Sequence, residues 1–349
     1  MSRAKTGKRR FFGRGAFAAG LLAGGLAFVL AGCWGGYVED LSEDTRTPVD
    51  ENRIVVGVSQ LGSESVWRTA NTASIQETFT RENGYFLIFE NARQKQENQI
   101  RALRSFISQR VDYIVFSPLT EEGWDTVLQE AREAGIPVIL IDRKVRTADP
   151  ALYTAWIGSD FYNEGRMAGE TLAQYLEQQG RQEETVRIVV LQGTEGSTAA
   201  IGRTAGFKEV AGLHENWLIL EQVDAEFTAA KGQEEMERLL SQYEDIDVLI
   251  SQNDDMTFGA LEAIRKNGLT PGTDGDIMVI SFDAVKDALE LVSQGVITAD
   301  VECNPEQGQY IRRIIEKLEA GEPVARLYFV EEQVYTQENA AEAMEERWY

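Results

Sequence analysis

Residues Val111–Asp142, VDYIVFSPLTEEGWDTVLQEAREAGIPVILID, contain the pattern that decides the fold. Two short apolar runs, Tyr113–Phe116 and Val138–Ile141, enclose a stretch with helical spacing. The apolar positions of that stretch are Trp124, Val127, Leu128 and Ala131. Uninterrupted apolar runs of this length indicate strands that are buried on both faces of a parallel sheet, and the i, i+3, i+4, i+7 spacing indicates an amphipathic helix. The stretch therefore predicts a strand–helix–strand unit.

The same alternation extends in both directions along the chain. Further apolar runs are Ile54–Val58, Phe86–Phe89, Ile188–Leu191, Leu218–Leu220, Val248–Ile250, Ile277–Ile280 and Val296–Val301. Residues Ile246–Ser251 and Ile264–Asp283 repeat the pattern of the opening stretch, each with an aspartate or serine after the strand. Regular alternation of strand and helix predicts an α/β fold with an open, doubly wound sheet. The repeat predicts two similar lobes of about 110–140 residues each.

Polar side chains follow the carboxyl ends of the predicted strands in both lobes. Ligands collect at this edge of open α/β sheets, so two such edges would form a polar cleft. The candidates are Glu64, Ser65, Trp67, Arg68, Asp142 and Arg143 in the first lobe, and Arg203, Asn253 and Asp283 in the second. Carboxylates and arginines make charge-assisted hydrogen bonds to hydroxyls, and a tryptophan ring covers a C–H face. The set favours a sugar or polyol as ligand.

Each candidate also has a purely structural explanation. A single aspartate at a strand end caps the next helix about as often as it binds a ligand. Trp67 alone would more often be a core residue, and the arginines could pair with surface acids. Glu64, Asp142 and Asp283 could serve glycoside hydrolysis, but each lies beside an arginine or asparagine that suits an ionised acceptor better than a general acid. Their combination on one edge favours binding over catalysis.

Composition disfavours several other classes of function. The 349 residues include 57 acidic and 34 basic side chains, and the net charge of −23 makes nucleic acid a poor partner. One histidine, His214, and two cysteines, Cys33 and Cys303, are too few for a thiolate or imidazole zinc site or a disulfide framework. The sequence lacks a GxxxxGK[ST] phosphate loop. We expect no metal, no cofactor and no enzymatic activity.

Residues 1–32 form a predicted export signal. A basic region precedes the short apolar stretch Ala16–Gly32, which is rich in alanine and glycine, and this order is typical of a secretory signal. Leu30-Ala31-Gly32-Cys33 resembles the bacterial lipobox, in which cleavage leaves a lipidated cysteine. We expect a lipid on Cys33 and a flexible acidic tether over residues 33–52. The lipid would then be the only contact with the membrane, and an uncleaved anchor is the alternative.

The body of the chain, Arg53–Val330, resembles periplasmic sugar-binding proteins of the ribose-binding type, the solute receptors of ABC importers. Within that group it is similar to the galactofuranose-binding proteins. The resemblance rests on VGVSQLGSESVWRTANT (Val56–Thr72), QKQENQIRALRSFISQ (Gln94–Gln109), LQGTEGS (Leu191–Ser197), NDDM (Asn253–Met256) and SFDAV (Ser281–Val285). It implies a type I periplasmic binding protein fold, in which two doubly wound parallel-sheet lobes are joined by a three-segment hinge. It also implies that the nine candidate residues hold the sugar.

The resemblance further implies how the chain is divided between the lobes. The first lobe would comprise residues 53–159 and 303–323, and the second residues 160–302 and 324–340, with 341–349 as a tail. The second hinge crossing would lie near Val301–Asn304, and the third, near Glu322–Ala325, would give the last strand to the second lobe. Val66 replaces a small residue and would either narrow the pocket mouth or pack on its helix. We expect Cys303 to be a buried thiol.

Together these features predict an extracytoplasmic, monomeric receptor that captures a monosaccharide and delivers it to an ABC permease with a cytoplasmic ATPase. A furanose, above all galactofuranose, is the expected ligand, and ribose, arabinofuranose or galactopyranose are the alternatives. A receptor for a sensor kinase or chemoreceptor would have the same fold and the same site. A glycoside-processing enzyme is the third hypothesis.

Overall fold

The computed structural model describes residues 53–349. The predicted signal segment, Cys33 and the tether lie outside the described residues. Residues 53–349 belong to one compact unit. Among them, we find no helix with the length and apolar character needed to cross a membrane.

Strands and helices alternate along the described chain. The strands are β1 (Ile54–Gln60), β2 (Tyr85–Asn91), β3 (Tyr113–Phe116), β4 (Val138–Ile141), β5 (Ala155–Gly158), β6 (Val186–Gln192), β7 (Trp217–Asp224), β8 (Val248–Ser251), β9 (Met278–Asp283), β10 (Ala299–Glu302), β11 (Leu327–Phe329) and β12 (Val334–Tyr335). The helices are α1 (Val66–Thr78), α2 (Gln96–Gln109), α3 (Asp125–Glu133), α4 (Phe161–Gln178), α5 (Thr198–Ala211), α6 (Ala229–Gln242), α7 (Asp254–Lys266), α8 (Lys286–Ser293), α9 (Gly308–Glu319) and α10 (Ala340–Glu346).

The strands form two six-stranded sheets with matching orders. The first is β11-β5-β4-β3-β1-β2, and the second is β12-β10-β9-β8-β6-β7. All pairs in the first sheet are parallel, and in the second only β12 runs antiparallel to its neighbour, β10. Helices cover both faces, which explains why β3, β4, β8 and β9 are buried along their whole length. The prediction of two doubly wound parallel-sheet lobes is confirmed.

The two strands of the opening stretch lie at the centre of the first sheet. Ile114 and Phe116 of β3 pair with Val138 and Leu140 of β4. The helix between them buries Val127, as its spacing predicts. Each sheet has one apolar cluster on either face, so each lobe has its own two-sided core.

The chain crosses between the two sheets three times. The first crossing follows β5. The second follows β10 and leads to α9, which packs on α1 of the first lobe. The third was predicted near Glu322–Ala325, and the structure differs there. β11 pairs with β5 of the first sheet, the Trp156 amide donates to the Arg326 carbonyl at 2.9 Å, and Phe329 packs edge-on against the Trp156 ring. The crossing therefore lies after Val330, and only β12 joins the second sheet.

The C-terminal residues are packed on the second lobe. Helix α10 contacts α8, and the buried Arg347 guanidinium pairs with Glu302 at 2.8 Å. The Lys286 amide donates to the Tyr349 carbonyl at 2.6 Å. Residues 341–349 are thus an integral part of the second lobe, which is more than the predicted tail.

Candidate ligand-binding site

The carboxyl ends of both sheets face one small cavity between the lobes. Its lining includes all nine candidate residues: Glu64, Ser65, Trp67, Arg68, Asp142, Arg143, Arg203, Asn253 and Asp283. Four further residues complete the wall: Phe161, Ala199, Phe227 and Cys303. The topology therefore brings together side chains that are up to about 240 positions apart in the sequence.

In the first lobe, the start of α1 positions an arginine between two carboxylates. The Ser65 hydroxyl accepts from the Arg68 amide and caps the helix. Arg68 Nη2 lies 2.6 Å from Asp142 Oδ2, and Arg68 Nε lies 3.1 Å from Glu64 Oε1. Burial works to lower the pKa of Arg68, but the charges of Asp142 and Glu64 outweigh it and raise that pKa. The Ser117 hydroxyl also donates to Asp142, at 2.9 Å.

Arg143 is a second buried cation in the first-lobe wall. Its Nη1 donates to the Leu119 carbonyl at 2.9 Å, and its guanidinium lies 5.3 Å from the centre of the Phe227 ring. Burial, together with repulsion from Arg68, lowers the pKa of Arg143 to about 10, so it stays cationic at neutral pH. This cation is less well compensated than its neighbour.

In the second lobe, an arginine again lies between two carboxylates. Arg203 Nε lies 2.5 Å from Glu164 Oε2, and Arg203 Nη2 lies 3.3 Å from Asp283 Oδ1. Its Nη1 donates to the Gln252 carbonyl. Burial works to lower the pKa of Arg203, but the Glu164 carboxylate outweighs it and the pKa is raised. Burial raises the pKa of Asp283 well above its usual range, against the effect of Arg203.

Both strand-end aspartates have left-handed backbone conformations. The φ angle of Asp142 is 58°, and that of Asp283 is 109°. Residues other than glycine rarely adopt positive φ, and they keep it only where the surrounding structure holds them there. The backbone conformation helps to set the direction of both carboxylates at the cavity.

Several buried polar atoms of the first-lobe wall lack a hydrogen-bond partner within residues 53–349. They are Glu64 Oε2, Arg68 Nη1 and Arg143 Nε. Buried polar atoms in folded proteins nearly always have a partner, so three unpaired atoms around one cavity need an explanation. One acceptor and two donors match the hydrogen-bonding capacity of neighbouring hydroxyl groups.

Two of the candidate residues also have structural contacts. Asn253 caps α7, because its side chain accepts from the Met256 amide at 2.9 Å. Trp67 is buried, and its Nε1 donates to the Cys303 carbonyl at 2.5 Å, which ties α1 to the second hinge crossing. Val66 is 41 % exposed and does not line the cavity. The thiol of Cys303 is buried, as predicted.

The aromatic walls were not predicted. Phe161 begins α4 immediately after the first crossing, and Phe227 lies three residues beyond β7. A Cβ at Gly193 would lie 1.8 Å from the Phe227 ring, so glycine makes room for this ring at the end of β6. Both phenylalanines follow strand ends. A search for side chains after the predicted strands would have included them if it had covered apolar as well as polar residues.

A buried carboxyl pair lies behind the cavity at the hinge. One atom each of Glu164, Cys303 and Glu332 that could coordinate a metal ion lies within 4.8 Å of the other two. Ser159 Oγ contacts both Cys303 and Glu332. Burial raises the pKa of Glu164, and it raises the pKa of Glu332 to about 10. The pair therefore favours holding a proton at neutral pH. The cluster joins residues of all three crossings.

The lobes are in contact around the cavity. The Val66 amide donates to Asp255 Oδ2 at 3.0 Å, and the Lys144 amide donates to Thr198 Oγ1 at 3.0 Å. The cavity measures about 30 Å³, the space of a water molecule or two. A larger ligand therefore enters only when the lobes part.

Known proteins share this architecture. Residues 55–323 match the family model described as "Periplasmic binding protein domain". The chain is 36% identical to the galactofuranose-binding protein YtfQ of Escherichia coli (strain K12), over 84% of this chain and 91% of that protein.

Two solved structures are also similar. A Mycobacterium smegmatis protein in complex with β-D-fucofuranose is 42% identical, with a TM-score of 0.79 over 83% of this chain and 93% of that one. The binding protein of the arabinose ABC transporter from Shewanella sp. ANA-3, bound to α- and β-L-arabinofuranose, is 41% identical, with a TM-score of 0.78 over 84% and 95%. These relatives are solute-binding proteins and not enzymes. With its matching fold and a family match over most of its length, this chain belongs to the periplasmic binding protein family.

Proposed function

We propose that this protein is an extracytoplasmic receptor that encloses one monosaccharide in its furanose form and delivers it to an ABC import permease. The observation that carries the proposal is the set of unpaired polar atoms around the cavity: Glu64 Oε2, Arg68 Nη1 and Arg143 Nε. A sugar with adjacent hydroxyls would satisfy all three, because each hydroxyl both donates and accepts. The relatives that bind furanoses support the ring form, and galactofuranose is the best candidate.

Both lobes contribute polar, hydrogen-bonding side chains to the sugar, and each adds aromatic surface. The aromatic surface is the Trp67 ring in the first lobe and the rings of Phe161 and Phe227 in the second. Aromatic rings cover the C–H surface of a sugar, while ionised side chains bind its hydroxyls. Closure of the lobes around the ligand is the hinge motion that periplasmic binders use.

Isothermal titration of the purified protein tests this proposal. D-galactose, D-fucose, L-arabinose and D-ribose are titrated separately, and at least one should bind one-to-one with a Kd in the micromolar range, about −8 kcal/mol. The same sugar should raise the melting temperature, as any ligand of the native state does. The absence of heat and of thermal stabilisation with all four sugars would overturn sugar binding and leave the family assignment intact.

Export and anchoring belong to the same proposal. The sequence of residues 1–33 supports a cleaved signal and a lipid on Cys33. Mass spectrometry of the mature protein from membranes tests this: an N-terminal acylated Cys33 is expected, and a mature N-terminus elsewhere contradicts it.

A further inference from the structure

The turn between β9 and α8 holds Asp283 in an uncommon conformation. Asp283 has a φ of 109° and Ala284 a φ of 55°. Two successive non-glycine residues with positive φ need support from their surroundings. Since the Asp283 carboxylate faces the cavity and contacts Arg203, whatever holds this turn also determines where that carboxylate lies.

Two buried aspartates from neighbouring elements hold the turn. Asp300 Oδ1, on β10, accepts from the Ala284 amide at 3.1 Å. Asp254 Oδ2, at the start of α7, accepts from the Val285 amide at 2.9 Å, and its Oδ1 accepts from the Ser281 hydroxyl at 2.5 Å. Asp254 and Asp300 are completely buried, and neither lines the cavity.

The two carboxyls also lie close enough to affect each other's titration. Asp300 Oδ2 has no hydrogen-bond partner in the part of the chain that the structure describes. Burial raises the pKa of Asp254 well above its usual range, and repulsion from Asp300 raises it further. Arg347, the cation that acts on Asp300, already pairs with Glu302. One proton between the two acids satisfies every oxygen without burying two negative charges.

We propose that Asp254 and Asp300 are positioning residues, a carboxylic acid–carboxylate pair that clamps the amides of Ala284 and Val285 and so aims Asp283 at the ligand. The inference rests on the proposed function, since it assigns these acids a part in sugar affinity without sugar contact. Asp254 accepts from the Val285 amide, and Asp300 accepts from the Ala284 amide. The pair replaces the glycines that would otherwise be needed at a turn of this shape.

Two substitutions at one position separate positioning from mere packing. Asp300→Asn keeps the oxygen that accepts from Ala284 and supplies an N–H toward Asp254, so the sugar Kd should stay within about threefold of wild type. Asp300→Ala removes both contacts, and the Kd should rise by about 10- to 100-fold, the factor for one or two hydrogen bonds. Asp245→Ala, an exposed aspartate on the approach to β8, is the matched control and should leave the Kd unchanged.

Hydrogen exchange supplies a readout that needs no sugar. Amide exchange measured by mass spectrometry over residues 281–288 should be faster in Asp300→Ala than in wild type and normal in Asp300→Asn. Unchanged exchange in Asp300→Ala would overturn the clamp whether or not any sugar binds. A wild type that binds no sugar but shows the expected exchange would overturn the proposed function alone.

A double-mutant cycle tests whether the clamp acts through Asp283. Asp283→Asn weakens binding by itself, and adding Asp300→Ala should then cost less than about threefold more, because the aimed carboxylate is already gone. Equal costs of Asp300→Ala in both backgrounds would assign Asp300 a general structural role and overturn the proposal.

Discussion

Each lobe holds the same three kinds of charged side chain near the cavity but arranges them differently. Each lobe has an arginine between a glutamate and a strand-end aspartate: Glu64–Arg68–Asp142 in the first, Glu164–Arg203–Asp283 in the second. Each glutamate has one buried oxygen without a hydrogen-bond partner in residues 53–349, Oε2 of Glu64 and Oε1 of Glu164. Glu64 lines the cavity, whereas Glu164 lies behind it and faces Glu332 in the third crossing. The glutamate of the first lobe is therefore placed for a ligand, and that of the second lobe is tied to the hinge.

The hydrogen-bond partners that hold the two strand-end aspartates, Asp142 and Asp283, also differ between the lobes. Asp142 is held by donors, since the Ser117 hydroxyl donates to its carboxylate and Trp156 Nε1 donates to its carbonyl at 3.0 Å. The turn of Asp283 is held by acceptors, the carboxyls of Asp254 and Asp300. Equivalent positions of two similar lobes can therefore be fixed by opposite hydrogen-bonding chemistry.

The largest expected effect is on stability, from removal of the arginine of the second lobe. Arg203→Ala leaves Glu164 and Asp283 buried without a cation and should lower the free energy of unfolding by about 3–5 kcal/mol. Arg68→Ala, the matched change in the first lobe, should cost less, because Glu64 and Asp142 both line the cavity, where water can replace the lost guanidinium, whereas Glu164 does not. Urea denaturation of both variants measures the difference. An equal or larger loss for Arg68→Ala would remove the distinction between the two lobes.

Arg143 has no counterpart in the second lobe, and its replacement should separate affinity from stability. Arg143→Met removes a buried and poorly compensated cation, so the free energy of unfolding should change by less than about 1 kcal/mol. Sugar affinity should nevertheless fall by at least about tenfold, because a donor to the ligand is lost. Titration and urea denaturation of the same preparation check both values. Loss of stability with affinity intact would show that Arg143 is a structural residue.

The contact of Asp255 with the Val66 amide is expected to have a smaller effect, on closure. Burial raises the pKa of Asp255 to about 6. The charge of Glu64 also raises this pKa, whereas the hydrogen bond from the Val66 amide lowers it. Tyr349 and Asp283 are the other titratable groups near it. Opening returns the carboxyl toward its ordinary pKa of 3.8, so closure takes up a proton. Sugar affinity should be highest below about pH 4 and fall as the pH rises through about 6.

Asp255→Asn keeps an oxygen acceptor for Val66 and removes the charge. At pH 7.5 it should bind sugar about three- to tenfold more tightly than wild type and lose the dependence on pH between about 4 and 6. Asp245→Asn is the control for a change of charge far from the cavity. Weaker binding by Asp255→Asn would show that the buried charge favours the closed lobes.

The smallest effect is expected at the hinge. Because the pKa of Glu332 is raised to about 10, its carboxyl is protonated at neutral pH. Glu332→Gln keeps an acceptor for the Asn304 amide and a donor toward Glu164. The sugar Kd should therefore stay within about twofold of wild type, and the melting temperature within about 2 °C. Thermal denaturation and titration at pH 7 measure both. A large loss in either value would show that Glu332 is ionised.

The fold and the polar half of the site could be predicted from the sequence, because periodicity and strand-end position are local signals. Asp142 and Asp283 follow continuous apolar runs, and the edge of a parallel sheet then brings them to the cavity. Phe227 also follows a strand, but its position alone does not identify it, since a phenylalanine there is equally well predicted as a core residue. The third crossing was misplaced, because the three residues Leu327–Phe329 of β11 form an edge strand that only pairing with β5 reveals.

The clamp of Asp254 and Asp300 could not be predicted either. Asp254 is one of two adjacent aspartates at a helix start, which ordinarily interact with helix amides and solvent. Asp300 lies in a strand, where its burial depends on the neighbouring β9 and on the start of α7. Only tertiary structure places two acids together at a turn with positive φ.

NMR spectroscopy of D-galactose labelled with ¹³C at C1 tests the central claim, selective enclosure of a furanose, most directly. Pyranose and furanose forms give separate signals, and only a small share of the sugar is furanose at equilibrium. On addition of the protein at a concentration that matches that share, the furanose signals should broaden and shift while the pyranose signals stay unchanged, and Arg143→Met should weaken the effect. Perturbation of the pyranose signals alone would contradict the account.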